Sequence, residues 1–162
     1  MARIPRSAFA LEPGYFHLIT RGNNGVAVFQ DDLDYQHYLS LLRHYKRHFQ
    51  VGLLAYSLMP NHVHMLVNIV KREALPKFMH GLNLAYSQYY KGRYSWNGHL
   101  WQGRYKSYLI EKDKYLTTCI EYIEANPEKA GLVQRREAYV WSSAKERFGK
   151  ENQGLVDLLG TV

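Results

Sequence analysis

The sequence contains one cysteine, Cys119, among 162 residues. That excludes an internal disulfide framework and makes a reducing compartment, the cytoplasm, the expected location. No apolar run approaches the ~20 residues that a membrane-spanning helix requires. The opening Met1-Ala2-Arg3-Ile4-Pro5-Arg6 has neither the apolar core nor the cleavage site of a signal peptide. Low-complexity segments, internal repeats and linker-like stretches are all missing. One domain is therefore expected over 1–162, with a core at about 14–133 and a tail at about 134–162. Acidic residues are scarce too: 14 Asp and Glu stand against 21 Lys and Arg, a formal charge of +7.

What is present points to a polyanionic partner. A basic field attracts nucleic acid and accelerates its association. Fourteen tyrosines interleaved with Arg and Lys supply rings that can stack bases beside charges that neutralise phosphates. Most of these rings are nevertheless expected to pack in the core or at its boundary.

Periodicity orders the chain. Residues 15–20 read as a strand, ended by the turn-forming Gly22-Asn23-Asn24-Gly25. Asp31-Asp32 opens a helix whose face repeats at Tyr38, Leu42, Tyr45 and Phe49, with Arg43, Lys46 and Arg47 on the remainder. Residues 51–59 and 62–69 are strands joined at Pro60-Asn61, a hairpin. A second helix is predicted over about 73–90, with Leu75, Phe78, Leu82, Ala85 and Tyr89 on one face. A short strand follows at 105–110. A third helix is predicted from an Asp113 N-cap to a stop before Asn126-Pro127, then a helical turn to Gly131. The order strand–helix–strand–strand–helix–strand predicts an α+β fold of the ferredoxin-like split βαβ type. Its antiparallel sheet carries two helices on one face, and a C-terminal helix follows.

The sharpest local signal is Met59-Pro60-Asn61-His62-Val63-His64-Met65-Leu66-Val67. Residues two apart on a strand share a face, so His62 and His64 place two imidazoles side by side while Val63 enters the core. That spacing suits two nitrogens converging on one metal ion. A closed structural zinc site would need four Cys or His ligands, and no second H-x-H or C-x-x-C exists. An open site suits Lewis-acid work on a phosphodiester. For the attacking group, the third helix offers Tyr115 and Tyr122, seven residues apart and nearly superposed on one face, with Cys119 between them. Pattern alone does not choose between the two.

The ordered set Met59-Pro60-Asn61-His62-Val63-His64, Leu100-Trp101-Gln102-Gly103-Arg104-Tyr105-Lys106-Ser107, Tyr115-Leu116 and Tyr122-Ile123-Glu124-Ala125-Asn126-Pro127 resembles the REP-associated tyrosine transposases. These are relatives of the single-tyrosine HUH transposases of small insertion sequences. The likeness starts at His17 and Arg21-Gly22 and continues through Ala130-Gly131-Leu132-Val133 to Trp141-Ser142-Ser143. It implies a metal site for Mg²⁺ or Mn²⁺ at His62 and His64, and a nucleophile at Tyr115. It further implies cleavage of single-stranded DNA hairpins at palindromic repeats, leaving a 5′-phosphotyrosine and a free 3′-hydroxyl.

One departure stands out. Insertion-sequence relatives place a third metal ligand, often Gln, one turn after the nucleophile, where this chain has Cys119. A thiol is a poor ligand for Mg²⁺, so Cys119 reads as a small buried hydrophobe, and Glu111, water or phosphate remain for the third position. Arg21, Arg104 and Lys106 lie inside the matching motifs next to sheet ends and are the candidate phosphate contacts. Trp96 and Trp101 could stack a base or fill the core. A monomer is expected over a homodimer. Two other classes stay open: a non-catalytic nucleic-acid-binding module on the same scaffold, and a metallohydrolase using metal-bound water.

Overall fold

The computed structural model describes residues 13–149 and 154–159. Its strands are β1 (Gly14–Arg21), β2 (Gly52–Met59), β3 (His62–Ile69) and β4 (Lys106–Ile110). They form one antiparallel sheet in the order β2–β3–β1–β4. The helices are α1 (Asp32–His48), α2 (Ala74–Tyr94), α3 (Lys112–Lys129) and the short α4 (Ser143–Phe148). This is the expected ferredoxin-like α+β arrangement.

Each sheet face has its own apolar layer, which is why the central part of the sheet is buried and β2 and β3 are buried for most of their length. On one face Phe16, Leu18, Val63, Met65, Val67 and Ile69 meet Tyr38 and Leu42 of α1 and Leu75, Phe78, Leu82 and Tyr86 of α2. On the other, Leu54, Ala55, Leu66 and Ile110 meet Leu116, Cys119, Ile120 and Ile123 of α3. A register shift between Leu53 and Ala55 is a bulge, and it lets the consecutive Leu54 and Ala55 both serve the second layer. Helices α1 and α2 approach closely at Gly81, where a Cβ would drive into the Tyr45 ring.

Several expectations need correction. Lys46 does not decorate the outside of α1: it is buried and pairs with Asp157 at 2.6 Å. The inner stripe of α2 continues through Tyr86 and Tyr90, not Ala85 and Tyr89, and the helix runs one turn further, to Tyr94. Helix α3 has Glu111, not Asp113, at its N-cap and passes through Pro127 to Lys129. Proline removes the N–H that would bond the Ile123 carbonyl four residues back. The Asn126 side-chain amide donates to that carbonyl at 3.4 Å instead, so the helix does not break.

Candidate active site on the outer sheet face

The histidines sit where the hairpin turn delivers them. Val28 and Phe29 donate backbone N–H groups to the Pro60 carbonyl at 2.8 and 3.2 Å, and Gly22 donates to the Asn61 carbonyl at 2.8 Å. Gly22 is required there, because a Cβ would collide with the Val26 carbonyl. From this fixed turn, His62 and His64 project onto the face covered by α3, their ring centroids 5.0 Å apart.

Each imidazole has its Nδ1 engaged. His62 Nδ1 lies 2.6 Å from Asn61 Oδ1, an acceptor only, so His62 donates from Nδ1 and keeps a lone pair on Nε2. His64 Nδ1 lies 3.0 Å from Nε2 of a third histidine, His17. Register explains that neighbour: β1 opposes Ile19 to His64 and Arg21 to His62, so His17 is the diagonal partner of His64 on the same face. Burial pushes His17 down to about 4 and His64 to about 3, with the nearby His17, His62 and Arg21 adding to the latter shift. His62 is also lowered, by burial first and by Arg21 second. All three rings are therefore neutral at pH 7, the form that binds metals.

Cations flank the pair in the same rows of the sheet. Arg21 is opposite His62, and Lys106 is opposite Ile19, which is itself opposite His64. Both are exposed, and neither forms an ion pair among the described residues. Arg104 is elsewhere. It lines a cleft of about 650 Å³ with Asn23, Lys91, His99, Trp101 and Tyr105. Trp101 is a core residue whose indole N–H donates to the Asn83 carbonyl at 3.1 Å, and Trp96 packs against the same core.

Helix α3 closes the site from above. The Tyr122 ring stands T-shaped to His17 and His64, at 5.9 and 6.1 Å between centroids, and the Lys129 ammonium lies over the Tyr122 ring at 5.2 Å. Tyr115 is two turns earlier on the same helix, about 10 Å along its axis, and is 46% exposed, against 42% for Tyr122. The structure thus brings His17, His62, His64 and Tyr122 into one cluster, with Tyr115 at the same helix face nearer its start. Cys119 is in the apolar layer, where burial pushes its thiol up to about 11.

The donor set fits a divalent cation in part. Two neutral imidazoles suit Mn²⁺ and its first-row neighbours, whereas Mg²⁺ would take most of its remaining ligands from oxygen. Among the described residues no group of three or more His, Cys, Asp or Glu is arranged to hold a metal. The remaining positions would fall to water or phosphate oxygens. Sequence reasoning did not assign roles to His17 and Asn61. The signal for both lay in the family likeness, which starts at His17 and includes Asn61 in its histidine motif, but which carried no role for either.

A Haemophilus influenzae protein described as a REP-associated tyrosine transposase is 26% identical over 106 residues, which cover 59% of this chain and 60% of that protein's length. A solved REP-associated tyrosine transposase bound to a REP hairpin superposes with a TM-score of 0.74 at 17% identity, over 97% of this chain and 89% of that one. A transposase structure from Deinococcus radiodurans gives 0.51 at 22% identity, over 70% of this chain and 91% of that one. Both structures share the fold. The family model for IS200-like transposases matches residues 11–126, and the chain belongs to that family.

Proposed function

We propose that the protein is a metal-dependent single-stranded DNA endonuclease and strand transferase, acting on hairpins of palindromic repeats as a monomer rather than a homodimer. The observation that carries this reading is the pair of neutral imidazoles, each with Nδ1 engaged, on a sheet face shared with Arg21 and Lys106. A divalent cation, Mg²⁺ or Mn²⁺, on His62 and His64 would draw charge from a non-bridging phosphate oxygen. Arg21 and Lys106 would hold the adjoining phosphates.

Tyr115 is the nucleophile in this reading, supported by its place in the ordered motif set. Its phenol oxygen attacks phosphorus after passing its proton to water, which returns one to the departing oxygen. The bond to the 3′-oxygen breaks, and that oxygen leaves protonated as a 3′-hydroxyl. A 5′-phosphotyrosine keeps the energy of the broken ester, so attack by a 3′-hydroxyl reseals the strand without another energy source. A second reading has one observation in its favour: the tyrosine ring resting against His64 is that of Tyr122. In that case Tyr122 attacks and Tyr115 packs at the boundary.

A denaturing gel of protein incubated with Mn²⁺ and labelled single-stranded hairpins separates these. The expected result is a protease-sensitive labelled adduct in wild type and Tyr122→Phe that is abolished in Tyr115→Phe. His64→Ala should lower its yield by more than the ~10–100-fold that loss of an outer-shell partner costs. Adduct lost only in Tyr122→Phe would transfer the nucleophile to that residue. Cleavage without any adduct would assign the attack to water, and hairpin binding without cleavage would favour a binding module.

A further inference from the structure

We infer that His17 is a positioning residue that fixes the protonation site of His64, accepting the His64 Nδ1–H at its own Nε2 and so leaving the His64 Nε2 lone pair free for the cation. The inference rests on the metal reading above for its purpose, but its content is a statement about one hydrogen bond in the protein without metal.

Hydrogen-bond geometry and burial support it. The two nitrogens are 3.0 Å apart in a buried contact, and the rings are near-parallel, at 27° with 5.2 Å between centroids. Only one proton can occupy that contact. It belongs either to His64 Nδ1 or to His17 Nε2, and the choice decides the state of His64 Nε2. With the proton on His17, His64 would carry its own proton on Nε2 and present an N–H where a cation must bind. With the proton on His64, its free lone pair matches that of His62, whose Nδ1 is committed as a donor because Asn61 Oδ1 only accepts. Two different partners, a side chain of the turn and a ring from the neighbouring strand, then impose the same tautomer on both histidines. A ligand's second nitrogen is usually held in this way. His17 is only 3% exposed, so water does not compete for the bond. Tyr122 packs T-shaped against both rings of the His17–His64 pair.

Long-range ¹H–¹⁵N spectra of the metal-free, full-length protein at pH 7 report which ring nitrogen of each histidine carries its proton. The expected pattern is Nδ1–H on both His62 and His64, and Nδ1–H on His17. His64 found as Nε2–H would overturn the inference, whether or not the protein binds metal. Mn²⁺ affinity, read from the electron paramagnetic resonance of free Mn²⁺, tests the consequence. His17→Phe keeps the bulk but removes the acceptor and should weaken binding about 10–100-fold, whereas His17→Gln restores an acceptor and should recover most of it. A folded His17→Phe variant, judged by near-ultraviolet circular dichroism, that binds Mn²⁺ like wild type would also overturn it. Wild type that binds no Mn²⁺ would instead defeat the metal reading, and the tautomer spectrum would still decide the role of His17.

Discussion

A buried imidazole is a pH sensor for folding as well as a ligand, and the residue-scale prediction follows from that. An unfolded histidine titrates near 6.5, while burial holds folded His17 and His64 near 4 and 3. Above pH 6.5 both states are neutral and nothing is lost. As pH falls below 6.5 the unfolded chain takes up two protons that the folded chain refuses. Stability should therefore fall with a slope of up to about 2.7 kcal/mol per pH unit. Metal-free urea unfolding at pH 7.5, 6 and 5 measures it, and His17→Phe should roughly halve the slope. Stability that stays flat across that window would mean the pair is hydrated and not buried neutral.

The element that matters most is α3, since it carries both candidate tyrosines, and it is anchored from its far side. Glu124 is 1% exposed and accepts from Ser143 Oγ at 2.7 Å and Arg147 Nε at 2.9 Å, while Arg147 also donates to the Leu54 carbonyl at 2.7 Å. One carboxylate thus ties α3 to α4 and, through the arginine, to β2. Glu124→Ala removes the charged acceptor shared by a buried hydroxyl, left with the Tyr56 carbonyl at 3.3 Å, and a half-buried guanidinium, left with the Leu54 carbonyl, at an expected cost of about 2–4 kcal/mol. Urea unfolding would read this. A loss below about 0.5 kcal/mol would mean that the apolar contacts of Leu116, Ile120 and Ile123 suffice to hold the helix.

At the scale of the whole molecule, the later part of the chain covers the β2 edge of the sheet. An open edge strand invites pairing with other chains, and β2 is an edge strand. Leu58 N–H donates to the Trp141 carbonyl at 2.9 Å, Tyr56 N–H to Ser143 Oγ at 3.0 Å, and Asp157 N–H to the Leu53 carbonyl at 2.7 Å. Asp157 also accepts from Leu53 N–H and from the buried Lys46 ammonium. Asp157→Ala would leave that ammonium with the Leu155 carbonyl, costing about 2–4 kcal/mol and lowering Tm by roughly 5–15 °C. Thermal unfolding with light scattering should register both the lower midpoint and earlier aggregation through the bared edge. An unchanged midpoint would show that this latch contributes nothing to closure.

Local pattern determined most of the elements and the face on which the histidine pair lies. Period-two alternation from His62 to Ile69 leaves one register for a hairpin with a buried side, and the spacing of Tyr38 and Leu42 leaves one inward face for α1. Hydrophobic periodicity is a short-range property, so it was legible. The rest depended on residues far apart in the chain. His17 acquired its partner only when β1 paired with β3, 47 positions away. Lys46 read as a surface cation because its acceptor, Asp157, lies 111 positions on. Asn126 offset the loss at Pro127, which a propensity reading treats as a stop. Which tyrosine ring rests on the histidines was likewise settled by how α3 crosses the sheet: two residues seven apart share a helix face, and only packing decides which of them stands over His64.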